Sequence, residues 1–212
     1  MLQPKLPEKL REEMIETAVA SAIEEGRDVE ECHFYGEDLP SLNGETVEFN
    51  GCHFEKCAFR PCGADRLVFV DCVFEKCDFS GMTFVKSTFQ RAAFRQCRMT
   101  GIEITQTPLM NVSFQDCLMD YANFADIKAQ HVLFADCGMK ESSFFQFRWQ
   151  DWVLRNCNLK GTEIRETTLK GVDVTSCGIE GLVTEVSAVR GMKVTQDQAV
   201  QLSALLGLIV QK

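Results

Sequence analysis

Eleven cysteines and three histidines are the residues of this 212-residue chain that would carry metal or nucleophilic chemistry. Cys52, Cys57 and Cys62, or Cys72 and Cys77, have the outline of ligand sets. Their spacing argues against that reading, because they stand five apart where structural zinc ligands come in pairs two to four residues apart. His33, His53 and His131 have no serine or cysteine nucleophile identifiable beside them, and only His33 and His53, twenty apart, are placed to be neighbours. The chain has no Gly-rich phosphate loop between a strand and a helix, no HExxH and no GxSxG. The sequence predicts a protein that is not an enzyme, with no cofactor and no metal.

The spacing of five belongs to a larger pattern. Written in fives from Cys32, the chain gives CHFYG, EDLPS, LNGET, VEFNG, CHFEK and so on to MKVTQ, 33 units over residues 32–196 without an insertion or deletion. All eleven cysteines fall at position one of the unit, and fourteen of the sixteen phenylalanines fall at position three. Position three is otherwise Leu, Ile, Met, Val or Trp, except at Gly44, Ala64, Ala129 and Thr184. Positions two, four and five carry nearly all the charged and amide side chains and most of the glycine, so they face water and make the turns. Positions one and three are two inward columns, and the cysteines serve there as small hydrophobes. The three histidines all fall at outward positions.

Units such as Cys77 to Gly81, Ala122 to Asp126 and Cys157 to Gly161 resemble the consensus of the pentapeptide-repeat proteins: a small residue, Asp or Asn, Leu or Phe, a polar residue, then often Gly. The resemblance covers roughly four-fifths of the chain. It implies an all-β solenoid, a right-handed quadrilateral β-helix in which four units make the four sides of each 20-residue coil. Stacked positions should then match at a spacing of 20, and they do. Cys57, Cys77, Cys97, Cys117, Cys137, Cys157 and Cys177 form one such series, and Phe54, Phe74, Phe94, Phe114 and Phe134 another. About eight coils at the usual strand spacing of about 4.8 Å give a rod of about 40 Å. Parallel in-register cysteines in such a ladder rarely reach the torsion a disulfide requires, and a cytosolic protein meets a reducing environment.

The chain divides into an N-terminal capping helix (1–28), the repeat β-helix (29–194) and a short C-terminal helix with a tail (195–212). The N-terminal helix is expected over residues 7–25. Pro7 opens it, Leu10, Met14, Ala18 and Ala22 form one ridge beside Ile15, Val19 and Ile23, and Gly26 stops it. It caps the first coil or, in the alternative, serves as an exposed partner-binding helix. At the other end Thr195 and Gln198 fit a capping box, Val200, Leu202, Leu205 and Leu206 supply an apolar face, and Gly207 ends the helix before the tail Leu208, Ile209 and Val210. So exposed an apolar terminus suggests an isologous dimer through Leu202, Leu205, Leu206, Leu208, Ile209 and Val210. The tail is similar to that of the Qnr/MfpA-like, quinolone-resistance type subfamily, whose members end in a short helix with a Leu-Gly-Ile/Leu-type tail and dimerise there. Two features depart from that subfamily: the frame has no insertion for projecting loops, and the N-terminal helix is atypical.

With 45% hydrophobic and 25% charged residues and no long apolar run, the chain reads as soluble. Its opening residues lack the pattern of a secretory or transit signal, which predicts a cytoplasmic protein without membrane association. A net charge of -9 argues against direct nucleic-acid binding. The charge is uneven, with eight basic and five acidic side chains in residues 52–100 against seven basic and twelve acidic in 101–186. The subfamily resemblance implies a DNA mimic that binds DNA gyrase or topoisomerase IV and in some members protects it from fluoroquinolones. On that reading the partner-binding residues are Asp116, Asp120, Tyr121, Asp126, Asp136, Glu141, Asp151 and Glu166, with Phe145 as a further outward group. The alternative is a non-catalytic scaffold or adaptor that presents a rod wall, or its N-terminal helix, to another protein.

Overall fold

The computed structural model describes residues 1–63 and 66–211; Ala64, one of the position-three exceptions, lies outside the described residues, as do Asp65 and Lys212. Every 20 residues the chain completes one turn and bonds to the turn before it in parallel register. Phe34 pairs with Phe54, Phe54 with Phe74 and Phe74 with Phe94, and the same wall continues through Phe114 and Phe134. The next wall repeats the register from Asp38 with Ala58 to Asn158 with Gly178. Strands Thr88–Arg95, Leu109–Gln115, Lys128–Ala135 and Arg148–Arg155 each run through a corner and serve two walls. The result is a β-solenoid of about nine turns, against about eight expected. The difference includes the unit before Cys32, where Val29 is buried and pairs with Phe49.

The interior is side chain throughout. Phe54, Phe74, Phe94, Phe114 and Phe134 stack with ring centroids 4.9, 4.6, 4.8 and 4.8 Å apart and interplanar angles of 11°, 10°, 13° and 10°. Those separations equal the coil spacing, so backbone pairing and ring stacking are satisfied by one translation. Rings from the neighbouring wall meet this stack edge-on, as Phe79 meets Phe94 at 5.5 Å and 70°. Where a position-three column shrinks to Ala129 and its successor Trp149 is only partly buried, position one compensates with two large residues. Phe147 and Trp152 fill the space with ring centroids 4.8 Å apart, at the cost of leaving Trp152 Nε1 buried without a partner.

The corners explain position five. Nineteen non-glycine residues there have left-handed backbone, from Glu31 at φ 53° to Glu166 at φ 48°, and they include Lys56, Lys86, Arg91, Tyr121, His131 and Glu141. Glycine, Asn and Asp tolerate that conformation, whereas other side chains pay about 1–2 kcal/mol for it. The solenoid imposes the corner regardless, because the next coil's hydrogen bonds depend on it.

Both ends are capped, one of them differently from expectation. The helix predicted over residues 7–25 is α1, Ile15–Glu25, and residues 7–14 are not helical. Arg11–Glu12 is instead a strand paired in parallel with Cys32 and His33, closing part of the open edge of the first coil. That edge supplies hydrogen-bond partners a free helical turn would lack, and the carboxylate of Glu37 accepts from the Ile15 N–H at 2.8 Å to start the helix one residue after Met14. Of the expected ridge and its neighbours, Ala18, Ala22, Ile15 and Val19 are buried against the rod, whereas Met14 and Ile23 are exposed. At the far end α2, Gln196–Leu202, begins with the Thr195/Gln198 capping box and continues as a 3-10 turn to Gly207 at φ 72°. The Gln198 amide donates to the carbonyls of Val174 and Cys177, both at 2.8 Å, and so ties the helix to the last coil.

Two substitutions test this account. Phe94→Ala removes a ring from the middle of the stack and is expected to destabilise the protein by about 3–5 kcal/mol in guanidinium unfolding. Lys86→Gly, at φ 51° on an exposed corner, is expected to stabilise by about 1 kcal/mol in the same measurement.

Candidate partner-binding surface

Of the residues that would carry chemistry, the cysteines are placed where they have structural partners. All eleven cysteines are free and buried. The ladder thiols donate to the position-three carbonyl 23 residues earlier, as Cys57 does to Phe34 at 3.4 Å, Cys77 to Phe54 at 3.3 Å and Cys137 to Phe114 at 3.5 Å. Thr107 and Thr162 donate in the same way to Phe84 and Met139. In these columns position one is a small side chain with a weak donor, a role that Cys and Thr share. Contact with the Cys137 thiol, then burial, push Cys157 up to about 11, so it is a protonated thiol at neutral pH.

His33 and His53 stack with ring centroids 5.0 Å apart, and their Nε2 atoms are buried without partners, 3.8 Å from Glu55 and 3.9 Å from Glu75. Burial first, and the neighbouring His33 second, hold His53 below the usual imidazole value. His131 lies elsewhere, its Nδ1 2.9 Å from Asp151. Among the described residues no three His, Cys, Asp or Glu side chains are placed to hold a metal ion.

The outward acidic set divides by register. Residues 20 apart share a corner, so Asp116 and Asp136 share one, Tyr121 and Glu141 the next, Asp126 and Glu166 the third, and Asp151 stands on the fourth. Asp116, Asp120, Tyr121, Asp136 and Glu141 therefore frame a single wall, while Asp126, Asp151 and Glu166 are not brought to it. The three outliers have local partners: Arg148 for Asp126 at 3.2 Å, His131 for Asp151, and the Gln146 amide for Glu166 at 2.7 Å. On the framed wall Leu118 is 57% and Tyr121 58% exposed, and Leu118 lies beside Gly138, where an added Cβ would meet Leu118 Cδ2 at an ordinary 3.8 Å and Asp120 Oδ1 at a tighter 3.3 Å. Asp120 accepts from the Lys140 N–H at 2.9 Å and Asp136 from the Asn156 amide at 3.0 Å. Leu118, at position two of its unit, was missed by sequence reasoning that chose acidic and aromatic outward residues. Phe145, 39% exposed, sits on a different wall.

Seven of the eight expected partner-binding residues occupy left-handed corners, Asp120 being the exception. For Asp116, Asp126, Asp136 and Asp151 the corner itself is a sufficient reason, since Asp tolerates that conformation. Tyr121 at φ 61° and Glu141 at φ 51° have no such local preference and stand one above the other on the framed wall.

At the C-terminal end Val186, Val189, Met192 and Val194 of the last turns and Leu202, Leu205 and Leu206 line an apolar groove of about 250 Å³. Leu206, Leu208 and Val210 are exposed beside it and Ile209 is 90% exposed. No helix among the described residues is long and apolar enough to cross a membrane.

Comparison with known proteins agrees with this geometry. A family profile described as "Pentapeptide repeat region" matches residues 67–144. That segment is a pentapeptide-repeat region, and the unbroken 20-residue register carries the same fold through the rest of the rod. A search of curated proteins matches none. Among solved structures, trypsin-treated QnrB1, described as a plasmid-mediated fluoroquinolone resistance protein, is similar at 18% identity and a TM-score of 0.42 over 85% of this chain and 99% of that one. HetL of Nostoc sp. strain PCC 7120, a pentapeptide-repeat protein described as involved in heterocyst differentiation regulation, is similar at 9% identity and a TM-score of 0.33 over 82% of this chain and 92% of that one. The fold class rests on the register and the repeat match rather than on these two likenesses.

Because every thiol is buried, Ellman's reagent is expected to find less than one reactive thiol in the native protein over minutes and all eleven after denaturation. Rapid native reaction of several thiols would overturn the structural role given to position one.

Proposed function

We propose that this protein is a non-catalytic binding rod that presents the wall around Leu118 and Tyr121 to the DNA-binding surface of a type II topoisomerase, DNA gyrase or topoisomerase IV, as a mimic of DNA. The observation that carries the reading is the convergence of Asp116, Asp120, Asp136 and Glu141 around two exposed apolar side chains on one wall. A surface that normally takes up phosphates is basic, and carboxylates held on a rigid scaffold meet it without the entropy cost of ordering a flexible segment. Nine coils make a rod of about 43 Å at about 4.8 Å each. Joined end to end through the apolar groove and the tail, two rods reach the length of about two dozen base pairs at about 3.4 Å each. The N-terminal helix is a less suitable partner element, because its apolar side is already spent on the rod. Protection of the topoisomerase from fluoroquinolones is part of the proposal.

The test is a supercoiling assay with purified gyrase, titrating this protein with and without ciprofloxacin. Rescue of supercoiling in the presence of drug is the expected result. Replacing Asp116 and Glu141 together by Lys is expected to raise the half-effective concentration at least tenfold, and the same replacement at Asp126 and Asp151 to change it less than threefold. No effect of the unmodified protein at tens of micromolar, or equal loss with both pairs, would remove the reading. Dimerisation is checked by sedimentation: the native protein is expected as a dimer and Leu206→Asp combined with Ile209→Asp as a folded monomer.

A further inference from the structure

Residues 1–7 form an arm that climbs one corner of the rod. Its path follows the column Gly51, Asp71, Arg91 and Asn111, spaced 20 apart on successive coils. Pro7 packs beside Gly51, with its Cδ 3.8 Å from where a Cβ would stand. The Lys5 N–H donates to Asp71 Oδ1 at 2.9 Å, and the Leu2 N–H donates to Asn111 Oδ1 at 2.7 Å. Asp71 is the hub of the attachment. It is only 8% exposed although it occupies an outward position, and Arg91 holds it with Nε to Oδ1 at 2.7 Å and Nη2 to Oδ2 at 2.6 Å. Burial works against the ionised form of Asp71, but Arg91 and the Lys5 N–H outweigh it and keep the carboxyl below its ordinary value.

The spacing of the bonds is commensurate with the rod. Acceptors stand at 71, 111 and 151, every second coil, or about 9.6 Å apart. An extended chain advances about 3.3 Å per residue, so every third N–H recurs at about 10 Å, and Lys5 and Leu2 are three residues apart. Pro4 and Pro7 fix φ near the extended region and limit what the arm loses on docking. Beyond Asn111 the column continues to His131 and to Asp151, whose side chain is 53% exposed and has one carboxylate oxygen against His131 Nδ1 at 2.9 Å, leaving the other for an arriving N–H.

We propose that this corner is a docking track for an extended, proline-containing peptide segment of another chain, running along the rod axis and held by its backbone N–H groups at every third residue, and that residues 2–5 occupy it in cis. A segment arriving in trans must displace the arm, which therefore sets the threshold for docking. Recognition is through main-chain donors, so the track selects extended conformation first and side chains second.

Glycine at the corner keeps the left-handed backbone while removing the acceptor, so Asp71→Gly and Asn111→Gly isolate the contact, and glycine already stands in this column at 51, 171 and 191. In the full chain, native trypsin cleavage after Lys5 is expected to be at least tenfold faster in Asp71→Gly and severalfold faster in Asn111→Gly. Cleavage after Arg11, which lies in a paired strand, should be unchanged in both. A fluorescent peptide of residues 1–8 is expected to bind the full chain carrying Lys5→Pro at least tenfold more tightly than the unmodified chain, by anisotropy, and to lose that gain when Asn111→Gly is added. Equal cleavage rates in all three proteins, no peptide binding to Lys5→Pro at millimolar concentration, or binding indifferent to Asn111→Gly would each overturn the proposal.

Discussion

The constraint on which the structure depends is the vertical repeat: each coil must place its backbone donors, its corners and its rings one strand spacing above those of the coil before. The ring separations of 4.6–4.9 Å along the central phenylalanine stack are that spacing. Once the translation is fixed, the inward columns must share the interior between them, so that where position three shrinks to Ala129 and Trp149 is only partly buried, Phe147 and Trp152 at position one fill the space. The energetics are nearest-neighbour, and a change in one coil is felt in the two that touch it.

This constraint explains which features were legible in the sequence. A column of inward rings is a repetition of residue type at a fixed period, and sequence records period directly, so the Phe and Cys ladders and the number of walls could be read in advance. The corner to which each acidic residue belongs is also recorded, in the remainder of its number on division by 20, but grouping outward residues by their acidity merges four corners into one set. Asp126, Asp151 and Glu166 were grouped with Asp116 and Asp136 for that reason. Taken by remainder, 116 and 136 separate from 126 and 166 without any coordinates.

The N-terminus was misread for a different reason. Leu10, Met14, Ala18 and Ala22 keep helical period, yet the first half of that ridge is not helical, because Arg11–Glu12 has an open sheet edge to complete and Glu37 has an N–H to accept from Ile15. Both partners lie more than 20 residues further along the chain, beyond any window in which period is measured. The arm ahead of it is less legible still. Its bonds join Lys5 to Asp71 and Leu2 to Asn111, separations of 66 and 109 residues, and the acceptors look like ordinary corner residues until the arm is seen against them.

The interior of a rod filled by its own side chains is too regular to tell one partner from another. Specificity must therefore be written on corners and outward positions, which vary without disturbing the stack. Asp at a corner is ambiguous in this respect, since the backbone alone favours it. Tyr121 and Glu141 are not: a bulky or long side chain held left-handed costs stability that Gly, used at Gly101 and Gly161 on the same corner, would avoid. The wall they share with Asp116, Asp120 and Leu118 lies on the opposite side of the corner at Asp116 from the wall that leads to the arm's column. The proposed partner wall and the proposed docking track can then be altered separately, because no side chain named in either belongs to both.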